Sequence, residues 1–146
     1  MASATFFGHR DFNYSPYKDK IEAIIIDLIE NHGVREFYNG FRGNFDGLCA
    51  EIVFDLKARF PDLKNIMVLS YHNRQNFVLP KYFDESVYLL EKRVPPQYAI
   101  SYTNQEMIQR SDFIASGVCY HYGGAYTALE FARRKQKNIL DIFEDR

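Results

Sequence analysis

The sequence predicts an α/β domain of the Rossmann-like, doubly wound class, with a mostly parallel central sheet. Three observations support this fold class. Short β-rich runs alternate with amphipathic stretches along the whole chain. The connections between them are short, as in a parallel sheet that helices cover on both faces. Residues 65–70 (NIMVLS) form an apolar run of the kind found in buried parallel strands.

The first unit of this pattern is a strand followed by a helix. Residues 5–7 give the strand, which Gly8 ends, and apolar residues then recur at helical spacing from 16 to 31. Ser15 is the expected N-cap of the helix, Pro16 takes its first position, and Gly33 is the expected stop.

The remaining elements alternate in the same way. Helices are predicted over 46–59, 95–110 and 125–137. Strands are predicted over 34–38, 65–70, 86–90, 112–119 and 138–143, and a polar loop over 73–81. No linker, internal repeat or low-complexity segment interrupts the 146 residues, so we expect residues 1–146 to form one domain.

Composition narrows the classes of function. The formal net charge of −1 argues against a general nucleic-acid binder, which needs a basic face, but a small anionic ligand needs only a few local cations. Cys49, Cys119 and four scattered histidines have no metal-ligand spacing, so we predict no metal and no cofactor, with both cysteines as small apolar residues. Without a signal peptide or an apolar run long enough to cross a bilayer, the expected protein is soluble and cytoplasmic, with no membrane partner.

Three glycine-containing turns follow predicted strands, where an open parallel sheet binds its ligands. The first is Gly8-His9-Arg10, in which glycine permits a tight turn and Arg10 offers planar donors for phosphate. His9 can donate as well, or can pack beneath the loop. A plain turn with two solvated polar residues is the alternative reading of this tripeptide.

The second turn runs from Gly40 through Gly43 and Asn44 into a helix. A helix N-terminus presents unpaired N–H groups and the positive end of a dipole, which favour an anion. Asp46 has two readings: it caps the helix, or it accepts hydrogen bonds from a ribose hydroxyl.

The third turn is Gly123-Gly124, followed by Thr127 and Glu130 at the start of a helix. Two glycines and a threonine there suit a phosphate. Glu130 either reaches the same space or is a solvated residue that pairs with an arginine three or four positions later. If the sheet is doubly wound, the three turns lie along one edge, and their coincidence favours a ligand site.

At these segments the sequence resembles the SLOG superfamily, the Rossmann-like group named for Smf/DprA and LOG proteins, and looks closest to its small YpsA-like members. The match covers nearly the whole chain. The matching segments are Gly8-His9-Arg10, Gly43-Asn44-Phe45-Asp46 with Ala50-Glu51, Thr103-Asn104-Gln105-Glu106-Met107 leading into Ser111-Asp112, and Gly123-Gly124 with Thr127 and Glu130.

The resemblance implies a single SLOG-like nucleotide-binding domain. In the LOG branch the last motif belongs to enzymes that hydrolyse the N-glycosidic bond of nucleoside monophosphates. It would give Glu130 the acidic catalytic role and Gly123, Gly124 and Thr127 the phosphate contacts. In LOG enzymes this motif reads Gly-Gly-x-Gly-Thr-x-x-Glu, and here Tyr126 replaces its third glycine. Thr103 and Asn104 stand where LOG enzymes place an arginine.

The leading hypothesis is therefore a binding module, a sensor or sequestering protein for a nucleotide or a nucleotide-derived phosphorylated ligand. The expected ligand residues are Gly8, His9, Arg10, Gly40, Gly43, Asn44, Asp46, Asn104, Gly123, Gly124 and Thr127. One alternative is an N-glycosidase or phosphoribohydrolase that acts through Glu130. Another is a structural or partner-binding module that uses surface aromatic rings. SLOG relatives commonly form dimers, which implies a homodimer or a higher homo-oligomer.

Overall fold

The structure, a computed structural model, describes residues 2–71 and 76–143. Within them lie six strands, four α-helices and one 3₁₀ turn, Ser15–Tyr17. The strands are β1 (Ala2–Gly8), β2 (Val34–Asn39), β3 (Lys64–Leu69), β4 (Glu85–Tyr88), β5 (Phe113–Gly117) and β6 (Asn138–Asp141). The helices are α1 (Lys18–His32), α2 (Asn44–Leu56), α3 (Pro96–Arg110) and α4 (Gly124–Arg134).

The described strands form one sheet in the order β4-β3-β2-β1-β5-β6, and every pair is parallel. The chain begins in the middle of the sheet at β1, moves outward to β4, and returns through α3 to β5 on the other side of β1. The direction of winding therefore reverses between β1 and β5. This arrangement confirms the predicted Rossmann-like α/β class with a parallel sheet.

Helices cover both faces of the sheet. On one face α1 and α2 pack against Phe6 and Phe37. On the other face α3 and α4 pack against Phe7 and Ile114. Neighbouring residues of β1 thus point into opposite cores, as the alternation of side chains along a strand requires.

The termini of α1 illustrate which local signals decide a helix boundary. Gly33 ends the helix in the left-handed conformation (φ 69°), and its N–H donates to the Leu28 carbonyl, as the sequence predicts. Ser15 is not the N-cap. It begins a 3₁₀ turn with Pro16, and the α-helix starts three residues later at Lys18.

Other boundaries shift by a few residues. The last three strands are each shorter than predicted, and α2 begins two residues earlier, directly after Gly43. Of the predicted loop over 73–81, residues 73–75 lie outside the described residues, and 76–81 contain no helix or strand. Among the described residues, no helix has the length and apolar character needed to cross a membrane.

Candidate functional site

A cavity of about 470 Å³ opens at the carboxyl ends of β1 and β5, where the winding of the sheet reverses. This is the position at which doubly wound sheets bind ligands. Its wall consists of Phe6, Phe7, Gly8, His9, Arg10, Asp11, Phe12, Arg42, Asp46, Ile100, Asn104, Met107, Tyr120, Tyr122, Gly123, Gly124 and Ala125. We call it the switch-point cavity.

The predicted ligand residues divide into two groups. Those that line the switch-point cavity are Gly8, His9, Arg10, Asp46, Asn104, Gly123 and Gly124. Those that do not line it are Gly40, Gly43, Asn44 and Thr127. Glu130, predicted as catalytic in the enzyme alternative, does not line it either. Chain segments that are distant in sequence thus meet at one edge of the sheet, although not every glycine in them faces the cavity.

His9 joins the loop after β1 to the loop after β5. Its Nε2 accepts the backbone N–H groups of Cys119 and Tyr120, at 2.8 and 3.0 Å. Because both partners are donors, Nε2 carries no proton and the imidazole is neutral. Burial lowers the pKa of His9, which favours the same state. His9 is therefore a positioning residue that holds two walls of the cavity together.

The N-terminus of α2 is occupied by the protein itself. The N–H groups of Asn44 and Phe45 donate to the carbonyls of Arg10 and His9, at 2.9 and 3.4 Å. Gly43 makes this docking possible, since a Cβ there would lie 2.5 Å from the Arg10 Cα. Two of the α2 amides that we expected to bind an anion, those of Asn44 and Phe45, instead fix the loop that follows β1.

The N-terminus of α4 remains open to the switch-point cavity. Gly123 precedes it with φ 95°, and Thr127 N–H closes the first turn onto the Gly123 carbonyl. No acceptor among the described residues pairs with the N–H groups of Gly124, Ala125 or Tyr126. These amides and the helix dipole favour an anion at this point. The Thr127 hydroxyl donates to the Gly123 carbonyl rather than facing the cavity.

Arg42 reaches across the carboxyl edge of the sheet from the loop between β2 and α2. Its Nη1 donates to Ser70 Oγ at 2.9 Å, and its Nη2 donates to Asn104 Oδ1 at 2.5 Å. The resemblance places an arginine of α3 near Asn104, so the structure shows that another part of the chain supplies a guanidinium there. We did not predict Arg42 as a site residue; its place inside the glycine-rich turn was the available signal.

Asp46 lies in the first turn of α2 and faces the switch-point cavity. One carboxylate oxygen accepts the backbone N–H of Arg42 at 3.0 Å, so the carboxylate caps the preceding loop rather than the helix amides. Burial raises the pKa of Asp46 to about 6, although that N–H and the charges of Arg42 and Arg10 oppose the shift. The carboxyl group therefore titrates close to neutral pH.

Two tyrosines that we did not predict as site residues stand beside the cavity. The rings of Tyr120 and Tyr122 stack with centroids 5.4 Å apart and an interplanar angle of 10°. They are 42% and 70% exposed, which leaves much of their surface open to a ligand. Tyr120 also packs on His9, at 4.5 Å between ring centroids.

Glu130 forms an ion pair with Arg133 on α4 and does not line the switch-point cavity. The catalytic role that the resemblance gives Glu130 stays a prediction. No group of three histidine, cysteine, aspartate or glutamate side chains within 2–71 and 76–143 is arranged to hold a metal ion.

Several solved structures share this fold. DNA processing protein A (DprA) from Streptococcus pneumoniae matches with a TM-score of 0.69 at 13% identity, over 97% of this chain and 50% of that one. DprA from Helicobacter pylori matches with a TM-score of 0.67 at 16% identity, over 96% of this chain and 64% of that one. The Moco carrier protein from Chlamydomonas reinhardtii matches with a TM-score of 0.56 at 11% identity, over 96% and 75%.

These likenesses show a Rossmann-like fold shared with DprA and the Moco carrier protein, and they show the fold alone. Membership of the SLOG superfamily stays a prediction. The chain spans only half the length of the S. pneumoniae DprA. No protein-family model matches the sequence, and no curated protein matches it. The YpsA-like subtype stays a prediction.

The prediction about nucleic acid is wrong. The net charge of −1 led us to exclude general nucleic-acid binding, but the DprA from H. pylori, which shares this fold, binds single-stranded DNA. Net charge averages over the whole surface, whereas nucleic-acid binding depends on the cations of one local groove. The composition of this chain therefore does not exclude a nucleic-acid ligand.

Proposed function

We propose that the switch-point cavity binds a nucleotide or a nucleotide-derived phosphorylated ligand, and that the protein is a sensor or sequestering module for it. The observation that carries this proposal is the combination of three features in one cavity. They are the open amides of α4, two arginines, and a pair of stacked, exposed tyrosines. Anion donors beside aromatic surface match the phosphate and the base of a nucleotide.

The phosphate position follows from the donors. The amides of residues 124–126 have no partner among the described residues, and Gly123 and Gly124 carry no side chain that blocks the approach. The Arg10 side chain is exposed, lines the same cavity, and forms no hydrogen bond or ion pair within the described chain. Its planar donors therefore complement the helix terminus around a phosphate.

The base position follows from the rings. Stacking of a base on an aromatic side chain contributes about 1–3 kcal/mol to binding, whichever base it is. Tyr122 is 70% exposed and adjoins the phosphate-binding turn, so one ligand can contact both. This geometry supports recognition of a nucleotide by its phosphate and its ring.

Isothermal titration calorimetry with AMP, GMP, ADP-ribose and cyclic dinucleotides tests the proposal. We expect at least one of these ligands to bind. We expect Arg10→Gln to weaken that binding about tenfold or more, since a hydrogen bond to a charged group contributes about 1.5–3 kcal/mol. Tyr122→Ala is expected to weaken it by a similar factor.

Arg134→Gln is the matched control, because Arg134 is exposed on the last turn of α4 and does not line the cavity. It removes the same charge as Arg10→Gln and should leave affinity unchanged. Absence of binding across the panel would overturn the proposal. Equal losses of affinity in Arg10→Gln and Arg134→Gln would show that binding depends on the charge of the protein in general and not on Arg10.

A further inference from the structure

A second cavity, of about 460 Å³, lies at the same edge of the sheet. It opens at the carboxyl ends of β3 and β4, since Ser70 follows β3 and Tyr88 is the last residue of β4. Its wall consists of Ser70, Tyr71, Tyr88, Leu90, Glu91, Lys92, Arg93, Val94, Pro96 and Ala99. We call it the β3–β4 cavity.

Arg42 stands between the two cavities. Its guanidinium binds Ser70, in the wall of the β3–β4 cavity, and Asn104, in the wall of the switch-point cavity. The first turns of α3 also separate the two cavities, because Ala99 lines the β3–β4 cavity and Ile100 lines the switch-point cavity. These two hydrogen bonds use two of the five guanidinium N–H groups, so donors are left for a ligand.

The strand order sets the distance between the cavities. The β3–β4 cavity, Arg42 and the switch-point cavity follow one another along the order β4-β3-β2-β1-β5. From the middle of the β3–β4 pair to the middle of the β1–β5 pair there are three strand spacings, roughly 14 Å at about 4.8 Å per strand. A ligand that fills both cavities must therefore be extended and must pass Arg42.

The β3–β4 cavity repeats the chemistry of the first. Lys92 and Arg93 are exposed in its wall, and neither forms a hydrogen bond or ion pair with another described residue. Tyr71 is 44% exposed, and its hydroxyl donates to the Pro96 carbonyl at 3.4 Å, which orients the ring against α3. Cations beside an exposed ring again suit a phosphate and a base.

We propose that the β3–β4 cavity is a subsite for a second nucleotide unit, so that the ligand consists of at least two nucleotides joined by phosphate. Arg42 is placed to contact the linking phosphate. This inference rests on the proposed function, because the switch-point cavity holds the first unit. A free dinucleotide and a stretch of single-stranded nucleic acid share this chemistry.

Titration calorimetry of AMP and of the dinucleotide pApA tests the inference. In the wild-type protein we expect pApA to bind at least about tenfold more tightly than AMP. The double variant Lys92→Gln/Arg93→Gln should reduce the affinity for pApA towards that for AMP and leave AMP binding within twofold of wild type. Both residues are exposed, so circular dichroism should show an unchanged fold.

Arg134→Gln/Lys135→Gln is the control for the double variant. It removes a basic pair that is also exposed and lines neither cavity, and it should change neither affinity. If AMP binds and pApA gains nothing over it, the second subsite is ruled out while the proposed function stands. If neither AMP nor pApA binds, the inference fails, and the proposed function fails with it only if GMP, ADP-ribose and the cyclic dinucleotides do not bind either.

An oligo(dA) of ten residues separates the two sources of ligand. Binding much tighter than that of pApA, again weakened by Lys92→Gln/Arg93→Gln, would support the subsite and identify single-stranded nucleic acid as its occupant. Affinity no better than that of pApA, with the same dependence on the basic pair, would support a free dinucleotide. An oligonucleotide affinity indifferent to the basic pair would count against the subsite.

Discussion

His9 makes the loops around the switch-point cavity sensitive to pH. Its Nε2 accepts hydrogen bonds from two backbone N–H groups. Protonation of Nε2 would turn it into a donor that faces two other donors, so both hydrogen bonds would be lost. The pKa of His9 is lowered from 6.5 by burial, so the unfolded chain takes up a proton at higher pH than the folded protein. The stabilisation of the folded protein by neutral His9 is present above pH 6.5 and is lost as the pH falls through the pKa of His9 in the folded protein.

We predict that His9→Gln removes that pH dependence, because an amide oxygen can accept the same N–H groups without titrating. The measurement is the free energy of unfolding of wild type and variant between pH 5 and 8. The free energy of unfolding of the variant should increase relative to that of the wild type as the pH falls below 6.5. His9→Ala, which leaves two N–H groups unpaired, should cost about 1–3 kcal/mol at pH 7.5. A difference between wild type and His9→Gln that does not change with pH would contradict this assignment.

Protonation of Asp46 affects stability in the opposite direction to protonation of His9. The pKa of Asp46 is raised from 3.8 to about 6, mainly by burial, so the folded protein binds this proton more tightly than the unfolded chain. The stability that protonation confers is complete below pH 3.8 and is lost as the pH rises through about 6. We predict that Asp46→Asn, which keeps an oxygen for the Arg42 N–H, stabilises the protein by about 1–3 kcal/mol at pH 7.5.

The same unfolding measurements at pH 4 and pH 7.5 check the prediction for Asp46. The advantage of Asp46→Asn should disappear towards pH 4, where the wild-type carboxyl is already neutral. Removal of a negative charge from the cavity wall should also strengthen the binding of an anionic ligand at pH 7.5. A destabilised variant at pH 7.5 would show that the carboxylate stabilises the fold in its charged form.

Helix α2 depends on the conformation of Gly43. This residue has φ 133°, and a Cβ there would lie 2.5 Å from the Arg10 Cα, which is backbone and cannot yield easily. We predict that Gly43→Ala destabilises the protein by at least about 2 kcal/mol. Because α2 would lose its docking onto the loop after β1, ligand affinity should fall as well.

Gly47 supplies the control within the same helix. A Cβ at Gly47 meets no atom within 4 Å, so Gly47→Ala should stabilise the protein by about 0.5–1 kcal/mol through helix propensity alone. Urea unfolding measures both variants. Similar small effects in Gly43→Ala and Gly47→Ala would mean that the loop after β1 adapts freely.

The alternation of strands and helices along the chain can be predicted from the sequence because it rests on local signals. Apolar periodicity and glycine punctuation placed every described strand and helix within a few residues. The parallel order then places the loops after β1 and β5 at one edge, so the region of the site can be predicted as well.

Contacts between distant segments could not be predicted in this way. Arg42 meets Asn104 across 62 positions, and His9 meets Cys119 across 110. Neither pair has a local pattern. Gly8 shows the same limit: the sequence predicts that it permits a ligand to approach, but a Cβ there would lie 2.2 Å from the Phe45 ring. Tertiary packing, rather than a ligand, requires that glycine.

The position of β1 in the sheet predicts how stability is distributed over the molecule. β1 pairs with a strand on each side and is buried along most of its length. β4 and β6 each pair on one side within the described sheet and are only partly buried. We therefore predict that backbone amides of β1 exchange with deuterium at least about tenfold more slowly than those of β4 and β6. Exchange followed by mass spectrometry at pH 7 measures this, with α1 as an internal reference on one face. Exchange in β6 as slow as in β1 would require that another surface covers that edge, and the stability of the fold would then depend on contacts beyond this sheet.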